Sequence, residues 1–228
     1  MSLLKKLSPF YTLALFYIIV SLILRVVLLF HPITQASFSG VDTLKIFTIG
    51  MLSDSLVFIV LSSLLWLYLL FISNSKYLQP TGYIIFGALV SLFLYVAFGN
   101  TILNEYGGAL PEIGMAFIGL KTLLFGLLLF LPKYRHTIRF WLFSFVIFLF
   151  VTLILQNAIS EFFFWNEFGV KYNFIAVNYL VYTNEVIGNI MQSYPVIPIF
   201  TTLFLISGTI TFFIVKHSKN YIESIPTF

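Results

Sequence analysis

GMAFIGLKTLLFGLLLFLPKYRHTIRFWLFSFVIFLFVTLILQN, residues 114–157, decides the fold. Two apolar runs, 114–131 and 138–157, flank a turn that carries Pro132, Lys133, Arg135, His136 and Arg139. A proline and a cluster of cations stop one helix and start the next. Each run approaches the roughly 20 apolar residues that a helix needs to cross a bilayer. The stretch is a tight helical hairpin in a membrane. Four more runs of the same kind, 9–30, 47–72, 83–103 and 195–215, extend the pattern along the chain. The expected fold is an all-α, polytopic integral-membrane bundle of about six transmembrane helices, a single transmembrane domain over residues 1–228. A segment outside the spans, 158–194, is expected to hold one amphipathic interfacial helix.

Composition agrees. With 60% hydrophobic and 9% charged residues the chain lacks the polar atoms to face water on all sides. It has no Cys, which excludes disulfides, thiolate metal sites and cysteine nucleophiles. Residues 13–30 are too long for a signal-peptide core and lack a small-residue cleavage site before His31, so the first span is expected to stay. The stretch 31–47 reads as an ordinary connector, and NEYGGALPEI, 104–113, as a re-entrant or interfacial turn broken by Gly107, Gly108 and Pro111. Gly82, Gly87, Gly119, Gly126 and Gly208 read as points of close helix packing.

Basic residues are retained on the cytoplasmic side of a membrane. A cytoplasmic N-terminus places Lys5, Lys6, Lys76, Lys133, Arg135, Arg139, Lys216 and Lys219 inside and leaves only Lys45 and Lys171 outside. Acids sort the opposite way, with Asp42, Glu105, Glu112, Glu161, Glu167 and Glu185 external and Glu223 internal. Both termini are therefore expected in the cytoplasm. The basic loops point to anionic lipid, a membrane phospholipid partner, and no nucleic-acid motif is present.

Arg25, Asp54 and Lys121 fall within spans, where an ionised group costs roughly 2.5–3.5 kcal/mol on insertion scales. Arg25 and Asp54 lie at similar depth on consecutive spans and are expected to form an intramembrane ion pair. Lys121 either snorkels without specificity or reaches a lipid phosphate beside Asn100, Glu105, Gln156, Asn157 and Glu161. His31, His136 and His217 are scattered, with no second ligand at metal spacing, so no metal site is expected. No Ser/His/acid constellation, HExxH or glycine-rich phosphate loop is present, so no catalytic residue is assigned.

From Asn173 onward, Asn178, Glu185, Asn189 and Gln192 fall at helical spacing on one face, with Val177, Leu180, Val181, Ile187 and Met191 on the rest. Tyr172, Tyr179, Tyr182 and Tyr194 suit headgroup depth, having an apolar body and a polar tip. Such a helix either caps the bundle or handles substrate. EFGVKYNFIAVNYLVYTNEVIGNIMQSYP, 167–195, resembles the segment E-F-x-x-R-[FY]-N-F-I-A-V-D-Y-L-V-Y-T-x-E-V-I-x-N-I-x-x-S-Y-P of bacterial lipoteichoic-acid-synthase-like membrane proteins. These are phosphoglycerol or phosphoethanolamine transferases with a sulfatase-like catalytic domain. The chain departs from the pattern at Lys171, which lacks the planar fork of arginine, and at Asn178, which replaces a carboxylate.

The resemblance implies a multi-pass protein of the bacterial inner membrane. It implies that the chain is the membrane-anchoring, lipid-presenting part of an enzyme that moves a headgroup from phospholipid to a cell-envelope acceptor. That part is expected to be inactive alone, and the catalytic domain, which carries a divalent metal, is expected C-terminal to it; no cofactor is expected in this chain. Lys171, Asn173, Asn178, Tyr182, Glu185 and Lys121 are the expected lipid or interface contacts. The alternative is a self-standing small transporter or lipid-binding membrane protein.

Overall fold

The computed structural model describes residues 8–34, 37–70, 75–106, 108–173 and 183–218. Among these residues there is no strand, and nine α-helices follow one another: α1 Ser8–Leu29, α2 Gly40–Leu61, α3 Ser63–Leu70, α4 Thr81–Phe98, α5 Ile102–Tyr106, α6 Leu110–Phe130, α7 Arg135–Phe168, α8 Thr183–Ser193 and α9 Val196–His217. Six helical stretches are long and apolar enough to cross a membrane: Pro9–Leu29, Gly40–Leu65, Thr81–Glu105, Leu110–Phe130, Pro132–Phe168 and Val196–His217. The protein is an all-helical, multi-pass membrane protein. The described residues group into two compact units, one from Met1–Leu69 with Ser144–Tyr221 and the other from Leu70–Phe143.

Two boundaries differ from the sequence reading for local reasons. α2 starts at Gly40, inside the stretch read as a connector to residue 47. Ser39 Oγ accepts the Asp42 N–H at 3.2 Å, and the Asp42 carboxylate accepts the Ser39 N–H at 3.2 Å, a capping box that satisfies two otherwise orphaned donors. α7 does not stop at residue 157 but runs on to Phe168. No Gly or Pro interrupts it, and Ser160 turns its hydroxyl back to the Gln156 carbonyl at 2.7 Å. It ends where Gly169 adopts φ +66° and donates its N–H to the Trp165 carbonyl at 2.8 Å. Residues 158–168, read as the start of an external segment, are therefore the last turns of a membrane helix.

In the first unit α1 and α2 run antiparallel. Phe58 of α2 packs its ring 5.5 Å from Phe10 and 5.3 Å from Tyr17, while Arg25, nearer the other end of α1, meets Ile46 and Asp54. α9 buries Leu203, Ser207, Thr211, Ile214 and Val215, a spacing that marks one helical face. Ile147, Val151 and Ile154 give α7 its buried stripe in the same unit. The Trp165 indole donates to the Thr34 hydroxyl at 3.2 Å, and that hydroxyl donates to the Leu28 carbonyl at 2.7 Å. The far end of α7 is thus tied to the end of α1.

The second unit is built on α4 against α6. A Cβ on Gly119 would lie 2.9 Å from Phe93, one on Gly126 2.8 Å from Phe86, and one on Gly82 2.6 Å from Leu129. The two phenylalanines are seven residues apart, as are the two glycines, so rings from α4 seat over bare backbone on α6. Gly87 and Gly208, read as packing points from sequence, have no such neighbour within 4 Å. The basic turn closes α6: Arg135 Nε donates to the Leu128 carbonyl at 2.8 Å and its guanidinium lies 4.8 Å from the centre of the Tyr77 ring. A cation is favourable there because the helix C-terminus carries unpaired carbonyls and negative partial charge. At the other end of α6, the stretch 104–113 resolves into the short α5 and a reversal at Gly108, where φ is +64°.

Candidate functional site

The site begins with two helical pairs that face each other. Ser21 and Arg25 are one turn apart on α1, and Gly50 and Asp54 are one turn apart on α2. The Asp54 carboxylate accepts from both the Arg25 guanidinium and the Ser21 hydroxyl. Arg25 Nη1 donates to the Ile46 carbonyl at 3.0 Å. Gly50 makes this possible, since a Cβ there would lie 1.5 Å from Arg25 Nη1. The guanidinium lies flat against the α2 backbone in a notch only glycine provides. Arg25 is 7% exposed, and its Nε is buried without a hydrogen-bond partner among the described residues.

A cavity of about 510 Å³ opens from this pair. Arg25 and Asp54 line it together with Lys45 from α2, Thr34, Trp165 from the end of α7, and Lys171. Three cations face one carboxylate, so the lining favours an anion. Lys171 is fixed from behind by an ion pair with Glu161 of α7 at 3.0 Å. Arg139 and Trp165 lie 26 residues apart on α7, about 39 Å along the axis, close to the about 40–45 Å of a bilayer with its headgroup layers. Thr34, Trp165 and Lys171 set the cavity beside the C-terminal end of the membrane-crossing stretch Pro132–Phe168.

The structure brings Arg25, Asp54 and Lys171 to one cavity. Lys121 is exposed on α6 and does not line it; α6 begins at Leu110 rather than 114, which sets Lys121 nearer mid-helix than the sequence reading has it. Asn173 is exposed beyond the end of α7. Glu185 is the third residue of α8, the described part of the expected interfacial helix, and Asn178 and Tyr182 lie outside the described residues. Sequence reasoning missed Gly50, Ser21, Lys45, Thr34 and Trp165. Gly50 and Asp54 at i, i+4 opposite Ser21 and Arg25 at i, i+4 was the available signal.

A second cavity, of about 460 Å³, lies between the last turns of α7, α8 and the start of α9. Tyr194 donates its hydroxyl to Glu167 at 2.6 Å, and this bond raises the phenol's pKa above the ordinary tyrosine value. Burial raises that of Tyr172, whose ring packs 5.1 Å from Phe164. Both phenols remain neutral donors at physiological pH. Comparison with protein-family models, curated proteins and solved structures finds no match, and the chemistry of the site rests on its own residues.

Proposed function

We propose that this chain is the membrane-anchoring and lipid-presenting part of a transferase that moves phosphoglycerol or phosphoethanolamine from a phospholipid to a cell-envelope acceptor. One observation carries the reading: Arg25, Lys45 and Lys171 line a single cavity, where Asp54 pairs with Arg25, Glu161 pairs with Lys171 from outside the described lining, and the net charge is positive. Lys171 belongs to the stretch 167–195 that resembles the transferase family. In this role Arg25, held by Asp54 and Gly50, is the fixed cation, and the two lysines close on the phosphate as point charges. The chain presents the lipid and leaves the chemistry to a sulfatase-like, metal-bearing external domain C-terminal to it, which at least one further span would carry across the membrane. The host membrane is the bacterial inner membrane, with both ends of the chain on the cytoplasmic side.

Two measurements test this. Native mass spectrometry of the protein released from membranes should find phosphatidylglycerol or phosphatidylethanolamine retained over phosphatidylcholine, with retention falling about tenfold in the Lys45→Met/Lys171→Met variant. In the host cell, turnover of labelled phospholipid headgroup into envelope polymer should fall with the same variant. Unchanged turnover alongside lost retention would leave a lipid-binding protein and remove the transferase role; unchanged retention would remove the site.

A further inference from the structure

The cavity at the α7–α8–α9 junction has the opposite chemistry to the cationic one. Among its described lining residues there is no Lys, Arg or His, and the one charged residue is Glu167, exposed at its mouth among Phe163, Phe164, Tyr172 and Tyr194. The Phe163 and Tyr194 rings are 4.5 Å apart, centre to centre, and Tyr194 is fixed by its bond to Glu167. A carboxylate has about four acceptor positions, so that bond leaves Glu167 free to accept again. Gln156, on the same wall, has a buried Oε1 with no hydrogen-bond partner among the described residues. A phosphate entering here would be desolvated without a cation to meet it. A carboxylate ringed by aromatic faces is the arrangement that takes an ammonium group, through ion pairing and the negative faces of the rings.

A third cavity, of about 670 Å³, is a neighbour of this one. Ile159, Phe163 and Ile199 line both. Its other walls are apolar side chains of α1, α7 and α9, among them Ile23, Leu155 and Ile206, with Thr202 the one polar residue. Together the two cavities offer a charged aromatic pocket and an apolar groove that share three lining residues. That is the shape of a head and a tail.

We propose that the two cavities together bind an amphiphile with a cationic ammonium headgroup, the ammonium at Glu167 and its aromatic ring, the alkyl chain along the groove. This goes beyond the lipid-presenting role and stands whether or not that role holds, because the two sites take opposite charges. A free amine and an ammonium-headed lipid share the headgroup chemistry; the groove selects the one with a chain.

The test is equilibrium dialysis of the full chain in a polyoxyethylene detergent against radiolabelled dodecyltrimethylammonium, with protein-free micelles as the blank. Saturable binding is expected. Glu167→Gln should weaken it about tenfold, and Ile159→Trp, which fills the junction without touching the carboxylate, should weaken it at least as much. Dodecyl maltoside and dodecyl sulfate should compete poorly, and tetramethylammonium, a headgroup without a chain, should compete only at far higher concentration. Circular dichroism and phosphatidylglycerol retention at the cationic cavity, both unchanged in Glu167→Gln, show that the fold is intact. Equal competition by the maltoside, or full affinity in Glu167→Gln, overturns the proposal. Loss of phosphatidylglycerol retention with ammonium binding intact counts against the proposed function alone.

Discussion

Arg25 and Asp54 show how one residue outside the pair sets its worth. Removing either partner strands a buried charge, and Asp54→Ala or Arg25→Ala should each cost about 3–5 kcal/mol. Arg25→Leu with Asp54→Leu should recover most of that stability while losing phosphatidylglycerol retention, a dissociation that thermal unfolding in detergent and native mass spectrometry read separately. Gly50→Ala should cost about 1–3 kcal/mol although it removes no charge, because the new methyl group occupies the guanidinium's place. A stability equal to wild type would mean that Arg25 has another seat. Lys76 carries a pH prediction of its own. Burial, then the charges of Arg139 and Lys121, lower its pKa to about 8. About a fifth of it is then neutral amine at pH 7.4, against under a hundredth for an ordinary lysine near 10.4. An amine-acylating reagent should modify Lys76 with a midpoint near pH 8, read by peptide mass spectrometry; a midpoint above 10 would show an ordinary exposed amine. Its contribution to stability rises as pH climbs from about 8 towards 10.5, since the unfolded chain holds the proton longer than the folded one.

At the scale of elements, the interlock of α4 with α6 makes a prediction that separates glycines by their neighbours. Gly119→Val and Gly126→Val should each destabilise the second unit by about 1–3 kcal/mol, because the Cβ would press on Phe93 or Phe86. Gly87→Ala and Gly208→Ala meet nothing and should be neutral or gain up to about 1 kcal/mol from helix propensity. Limited proteolysis in detergent ranks the four. The sequence marks all of these positions alike, since a glycine in an apolar helix does not say which helix will face it. Helix ends were legible where the chemistry is local. Ser39 with Asp42 is a readable capping box, passed over because the polar look of 31–47 outweighed it. The run of α7 past residue 157 was obscured by Asn157, Ser160 and Glu161, polar residues that mark the membrane's edge without ending a helix.

For the whole molecule, hydropathy and length suffice to give six crossing segments and an all-helical fold, since lipid leaves the backbone few other ways to satisfy its hydrogen bonds. The grouping into two compact units was not legible, because every span looks alike to a hydropathy window. The candidate site was legible only in its charges. Arg25 and Asp54 stand out as costly residues within spans and Lys171 as part of the stretch 167–195, whereas the notch, the indole and the Tyr194 ring beside Glu167 are defined by distant residues meeting. Orientation has a direct test, because the chain has no Cys to remove. A single cysteine at Lys133 should react with an impermeant maleimide only in opened vesicles or from the cytoplasmic face, and one at Gly108 only from the opposite face. The reverse pattern would invert the orientation expected from the loop charges.

α7 runs 34 residues without a joint, about 51 Å, against a hydrocarbon core of about 30 Å. Its surplus stands at the Trp165 end, where Glu161 and Glu167 are carried on the same rigid rod as the buried stripe below them. A helix longer than the hydrocarbon core tilts or deforms the lipid around it. In a bilayer of short-chain lipids the acidic and cationic mouths ride high in the water, and in a thicker one they sink among the headgroups. The depth at which Glu161 and Glu167 stand on this helix then follows the length of the surrounding lipid chains.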